Sequence, residues 1–171
     1  GWSGELGYEI ILLDRRRGTE LWDRCMEAGA EYDIQPACPS LARSVEGGLL
    51  SYCSDITLED NPFTIGMDRL LDIDKPQDYV GKSALQAIAK TGTERRLVGA
   101  NFQGEPVRPN AHFMPIKVDE TVVGHVTRYV YSPRLTHNIA LVNVPSALAT
   151  PGTIIWLDAG DGWREAEITA L

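Results

Sequence analysis

Apolar and polar positions divide the chain into two textures. In the first, residues 7–13 (GYEIILL) form a nearly continuous apolar run after Glu9, which predicts a strand. Residues 19–28 predict a helix. Leu21, Trp22, Cys25 and Met26 share one face, and Gly29 supplies the stop. A short helix is expected to start near Pro39 and to end at Gly47-Gly48. Asn61-Pro62 marks a turn or extended segment. Residues 82–90 predict a third helix, with Leu85 and Ile88 on one face and Gly92 beyond its end. The texture changes across 91–95. From Arg96 onward, six short apolar runs follow, at 97–102, 113–118, 121–126, 138–144, 153–158 and 163–169. Pro, Gly and Asp punctuate them, and Asp158 to Gly162 predict a hairpin loop. Strands at this spacing make an antiparallel barrel or sandwich.

Composition narrows the classes of function. The 171 residues are 43% hydrophobic, enough for one sizeable core or two small ones. The 24 acidic and 16 basic residues leave a net charge of −8, which disfavours binding to phosphate backbones. Arg15-Arg16-Arg17 is the main basic cluster and is expected to be a solvated turn. No apolar run reaches the ~20 residues a membrane span needs, and no signal peptide is expected at the start. The chain begins at Gly1 without an initiator Met, so a piece of a longer protein is expected. Cys25, Cys38 and Cys53 are odd in number and form no C-x-x-C pair, which points to a reducing, cytoplasmic setting. His112, His125 and His137 lie far apart and follow no metal-ligand spacing, so no metal is expected.

The candidate chemistry begins at Gly1-Trp2-Ser3-Gly4-Glu5-Leu6-Gly7. A dinucleotide fingerprint needs a strand before its glycines and a helix after them, and here a strand is expected after. What remains is a tight loop carrying Glu5. Its carboxylate is either solvated or a bidentate acceptor for an amino-amidine edge, such as that of a pterin ring. Glu46 stands at a helix end before two glycines. Tyr52 follows as a stacking wall or a core residue. Two carboxylates alone would also suit glycoside hydrolysis, which needs a separation that sequence does not supply. No G-x-S-x-G elbow or Walker A loop occurs.

Several segments carry a family resemblance. Residues 3–10 (SGELGYEI) are similar to T-G-E-x-G-[FY]-E-[IV] of the glycine cleavage T-protein (aminomethyltransferase) family. Residues 45–49 (VEGGL) resemble its L-E-x-G-L, and Tyr52 with Asp55-Ile56 its Y-G-x-D-[IM]. Residues 78–85 (DYVGKSAL) resemble D-[FY]-[IV]-G-[KR]-x-A-L. Residues 124–127 (GHVT), 132–135 (SPRL) and 139–145 (IALVNVP) resemble motifs of the family's C-terminal domain. The order is the family's, and the matches span nearly the whole chain.

The resemblance implies an α+β chain. Residues 1–93 would be the C-terminal remnant of the family's folate-binding α/β domain, and 94–171 a small antiparallel β-barrel. It implies transfer of a one-carbon unit, aminomethyl or methyl, to tetrahydrofolate, from a small-molecule donor or a lipoyl carrier protein. Glu5 matches the glutamate that holds the pterin. Tyr52 and Arg69 are expected to line the folate channel. Arg108 or Arg128 would neutralise a substrate or glutamyl carboxylate. The family's key acid belongs to the half that this chain lacks, so no catalytic acid is assigned and the chain alone is expected to be inactive. Ser44 stands where the family has Arg, Arg69 where it has an aromatic residue, and Cys53 where it has Gly. Thr127-Arg128-Tyr129 replaces its T-S-G. These departures bear on the donor more than on folate, and residues 49–52 with 60–63 look closer to the dimethylsulfoniopropionate demethylase branch. Two alternatives stay open: a folate-binding accessory protein without transfer chemistry, and the folate module of a sarcosine or dimethylglycine dehydrogenase-like enzyme.

Overall fold

The computed structural model describes residues 4–171. Gly1, Trp2 and Ser3 of the glycine loop lie outside the described residues. Three helices precede the barrel: α1 (Gly18–Gly29), α2 (Leu41–Glu46) and α3 (Lys82–Thr91). Six strands then follow without interruption by further α-helix: β1 (Arg95–Phe102), β2 (Met114–Val118), β3 (Thr121–Ser132), β4 (His137–Pro145), β5 (Ile154–Asp158) and β6 (Trp163–Thr169). They close into an antiparallel barrel in the order β1-β4-β3-β2-β5-β6. Closure removes the unpaired edges that an open sheet would expose.

Alternation along the strands fills the interior. Val98, Ala100 and Phe102 of β1 meet Ala140, Val142 and Val144 of β4, with Ile116, Ile155, Leu157 and Ile168 from the other strands. The Phe102 and Tyr129 rings meet edge to face at 6.0 Å between centroids. On one side of the barrel the alternate positions are apolar too. Leu97, Val130, Ile139 and Leu141 form a second cluster with Val45, and Leu41, Ala42 and Leu50 pack against it. This is why 97–102 and 138–144 read as nearly unbroken apolar runs: those strands are covered on both faces.

The local predictions meet mixed outcomes. The three helices form where periodicity and caps place them. Ser40 caps α2 by accepting from the Arg43 N–H, and the Gly92 N–H closes α3 on the Ile88 carbonyl. Around Arg15–Arg17 a 3-10 turn forms, with Arg16 on Asp14 and Arg17 on Glu20 at the surface. The strand expected over 7–13 does not form. The segment has no ladder partner among the described residues, and Tyr8, Ile11 and Leu13 are 83–97% exposed. An apolar run supplies strand propensity, but a strand also needs a neighbour for its backbone groups. Conversely, β3 runs six residues past the expected end at 126, because β4 pairs with it as far as Ser132. Thr127 is inserted as a bulge between the pairs Val126–Val142 and Arg128–Leu141.

Arg95 closes the barrel where β3 meets β4. Its Nε donates to Asn143 Oδ1 at 2.7 Å, and its Nη2 to the Asn143 carbonyl at 2.9 Å. Both Nη atoms reach the Val123 carbonyl at 3.1 Å. Gly124 sits in this contact with no room for a side chain, since a Cβ there would stand 2.2 Å from the Asn143 carbonyl oxygen. Gly124→Ala is therefore expected to lower stability by about 1–3 kcal/mol, as forced overpacking does. Urea denaturation checks this, and an unchanged midpoint would show that β3 and β4 can part at no cost.

His125, next in line, stacks on Phe113 with centroids 4.8 Å apart. Burial, and then the positive charge of Arg95, hold its imidazole below its ordinary pKa. The unfolded chain thus takes up this proton first. The contribution is complete above the ordinary value of about 6.5 and is lost as pH falls below it. His125→Phe keeps a ring on Phe113 and is expected to lose less stability between pH 7.5 and 5.5 than the parent. Equal losses would assign the acid sensitivity to other groups.

Candidate functional site

The bulge at Thr127 builds a buried polar contact with several donors on one carboxylate. Val126 and Tyr129 both point into the barrel, three residues apart. The extra residue lets Thr127 and Arg128 both leave the core side together, which is how a bulge re-aims side chains. Both reach Asp55. Thr127 Oγ1 donates to Asp55 Oδ1 at 2.8 Å, and Arg128 Nε to the same oxygen at 2.9 Å. Arg128 Nη2 lies 2.6 Å from Asp55 Oδ2, and the Ser51 N–H donates to that oxygen at 2.7 Å. Arg128 also donates to Ser44 Oγ of α2 and to the Leu49 carbonyl. The Asp55 side chain is fully buried, and that of Arg128 nearly so.

A second polar contact runs along the end of α2. The buried Glu46 carboxylate accepts from Ser132 Oγ at 2.5 Å and is ion-paired with Arg134 Nε at 2.9 Å, both at the β3–β4 hairpin. Arg43, one turn earlier, reaches Glu46 at 3.4 Å through Nη1 and pairs with Glu5 through Nη2. Gly4 packs on Gly47 in the same corner, where a Cβ on Gly47 would stand 3.5 Å from the Gly4 Cα. The Glu5 loop is thus seated on the turn that ends α2, with its carboxylate half exposed.

A cavity lies nearby, reached from the α2 turn through Leu171, which Gly48 touches. It measures about 670 Å³ and opens between α3, the 63–69 segment and the barrel. Phe63, Ile88, Leu97 and Leu171 supply apolar wall, and Arg69 and Arg96 supply charge. Arg96 pairs with Asp68 at 2.5 Å, whereas Arg69 has no hydrogen-bond or ion-pair partner among the described residues. Gly48 and Gly66, at φ of 59° and 70°, bring backbone against Leu171: a Cβ on either would stand within 3.6 Å of it. Glycine is the residue that takes this conformation without strain.

The five residues singled out in the sequence do not converge on one point. Glu5 sits at the α2 turn with Arg43 and Glu46, and Arg69 borders the cavity. Tyr52 is 57% exposed on the loop whose Asp55 grips the barrel. Arg108 is exposed in the β1–β2 connection. Arg128 is buried, and Asp55 already meets the charge that the resemblance offered to a ligand carboxylate. Sequence reasoning passed over Asp55, Arg43 and Arg134 as partners. Asp55 lay within a recognised motif, and Arg134 within SPRL, but nothing local joins them to residues more than seventy positions away.

Comparisons with known proteins agree with this architecture. Residues 95–171 match the profile of the glycine cleavage T-protein C-terminal barrel domain, and residues 1–75 that of the GCVT N-terminal domain. Dimethylsulfoniopropionate demethylase of Ruegeria pomeroyi is 33% identical over 98% of this chain and 45% of its own length. Aminomethyltransferases of a Synechococcus species and of Saccharopolyspora erythraea are 35% and 32% identical, over 90% and 100% of this chain and 40% and 47% of theirs. The solved glycine cleavage system aminomethyltransferase T of Bartonella henselae superposes with a TM-score of 0.65, at 22% identity, over 76% of this chain and 36% of that one. The chain belongs to the glycine cleavage T-protein family. It spans about half the length of the curated relatives it matches. A demethylase and aminomethyltransferases align at similar identity.

Breaking the Asp55–Arg128 pair from one side leaves a buried charge without its partner. Arg128→Met is expected to cost about 3–5 kcal/mol, and adding Asp55→Asn to regain part of that loss. A double-mutant cycle by chemical denaturation measures both. Additive losses would mean that the two residues act independently.

Proposed function

We propose that this chain forms part of a tetrahydrofolate-dependent one-carbon transferase. The observation that carries the reading is the Glu5 carboxylate, half exposed and oriented by Arg43 on the glycine turn that ends α2. A carboxylate so presented suits the amino-amidine edge of a pterin, which offers two parallel N–H donors. The 670 Å³ cavity has the size of a small-molecule site, and its wall mixes apolar residues with charged and hydroxyl ones. Arg69 at its edge would take a carboxylate of the glutamyl tail, and Tyr52 would wall the channel from the neighbouring loop. These features support tetrahydrofolate as the cofactor, with Glu5 and Arg69 serving separate ends of the ligand.

Tetrahydrofolate, when bound, supplies the nitrogen that receives the one-carbon unit. The protein's part is then positioning and charge. Glu5 fixes one end of the ligand, and Arg43 fixes Glu5. Arg69 holds a charged end, and the Asp55–Arg128 contact keeps α2 on the barrel so that these groups do not drift. The donor is a small one-carbon compound or a lipoyl carrier protein. A cytoplasmic setting accords with three free cysteines among the described residues.

The test is calorimetric titration of the full-length parent with tetrahydrofolate, with and without candidate methyl donors. Binding in the micromolar range is expected, with donor-dependent formation of methyl- or methylene-tetrahydrofolate naming the branch. Glu5→Gln is expected to weaken binding roughly tenfold, the effect of losing one charge-assisted hydrogen bond. Unchanged affinity would remove Glu5 from the site.

A further inference from the structure

The bulge that sends Thr127 and Arg128 to Asp55 has a support outside that contact. Between Thr121 and Ser132, β3 loses one neighbour halfway along. Its last pair with β2 is Val126–Met114, and beyond it only β4 runs alongside among the described residues. The opposite edge would leave backbone N–H and C=O groups open, and a bulge adds to the loss by disrupting the ladder. Asn110, in the connection between β1 and β2, fills the gap. Its Oδ1 accepts from the Tyr129 N–H at 2.8 Å, and its Nδ2 donates to the Thr127 carbonyl at 3.0 Å. One carboxamide, with an acceptor and a donor side by side, thus bonds the backbone on both sides of Arg128. Nδ2 donates as well to the His112 carbonyl at 2.9 Å, which folds the connection around the side chain.

Arg128 reaches Asp55, Ser44 and the Leu49 carbonyl from the backbone position that the bulge gives it. A slip of β3 into regular pleat would turn either Thr127 or Arg128 away from Asp55, because neighbouring side chains of a strand face opposite ways. Asn110 opposes that slip, since both its bonds to β3 are made to the bulged segment. We propose that Asn110 is a positioning residue: it holds the bulge, and through Arg128 and α2 it holds Glu5 in place for folate. The last step rests on the reading of Glu5 given above; the hold on the bulge does not. The other end of the same connection supplies a control. There Arg164 Nη1 donates to the Glu105 carbonyl at 2.7 Å, and Asn138 bonds Glu105 and Val107, with no bond to the bulge.

The test is hydrogen exchange of the full-length parent by mass spectrometry, joined to NMR of the Arg128 Nε–H signal and titration with tetrahydrofolate. Asn110→Ala is expected to speed exchange across residues 49–56 roughly tenfold, as local opening does, while β5 and β6 keep their protection. It is expected to shift the Arg128 signal and to weaken folate binding. Asn110→Asp retains the acceptor for Tyr129 without the donor for Thr127, and its effect is expected in the same segment. Arg164→Met is expected to loosen residues 103–107 while 49–56, the Arg128 signal and folate affinity stay as in the parent. Unchanged exchange over 49–56 in both Asn110 variants would overturn the proposal. So would equal acceleration across β5 and β6, which would make Asn110 a general stabiliser. Faster exchange over 49–56 with folate affinity unaltered would uphold the hold on the bulge and count against the folate reading of Glu5.

Discussion

The buried pairing of Asp55 with Arg128 and Thr127 is the contact on which the arrangement of the chain rests. A carboxylate taken fully out of water is tolerated only when it is neutralised and its lone pairs are occupied. Asp55 meets both conditions through one guanidinium, one hydroxyl and one backbone N–H. Two of those three donors come from adjacent residues of a single strand, and in regular pleat one of them would face the other way. The bulge at Thr127 removes that conflict. A local irregularity in the barrel is thus what allows a segment from the other half of the chain to be held.

That hold passes outward through a short series of contacts. Asp55 fixes the 51–56 loop, and Ser44 and Leu49 accept from the same arginine, so α2 is seated on β3. The apolar cluster of Val45 with Leu97, Val130, Ile139 and Leu141 covers the same joint. Glu46 then ties the end of α2 to the β3–β4 hairpin, and Arg43 reaches on to Glu5. The exposed carboxylate thus stands at the end of a chain of buried ones. Its position follows from burial elsewhere, since a surface ion pair of the Glu5–Arg43 kind adds little rigidity alone.

Glycines bring the polar corner and the cavity near one another. With no side chain at Gly48 or Gly66, backbone lies directly against Leu171, which lines the cavity. Glu5 and the glycine pair stood out in the sequence because they fall in contiguous motifs, while the pairing of Glu5 with Arg43 did not. The roles of Asp55 and Arg128 did not stand out, because their meaning lies in each other and they stand 73 positions apart. Charge invited Arg128 to be read as a ligand contact, while burial commits most of it to the protein.

What the sequence by itself determined was everything set by neighbours a few positions away. The amphipathic faces and caps of α1, α2 and α3, the hairpin loop at Asp158 to Gly162 and the cores of all six strands follow from local periodicity and turn chemistry. Motif order pointed to the family. Tertiary structure alone decided the rest. It left 7–13 without a ladder, carried β3 on to Ser132, placed a bulge at Thr127 and closed β1 onto β6. Each of these depends on which backbone lies alongside another. An apolar residue carries no mark of the strand it will pair with, nor a charged one of the partner that will bury it.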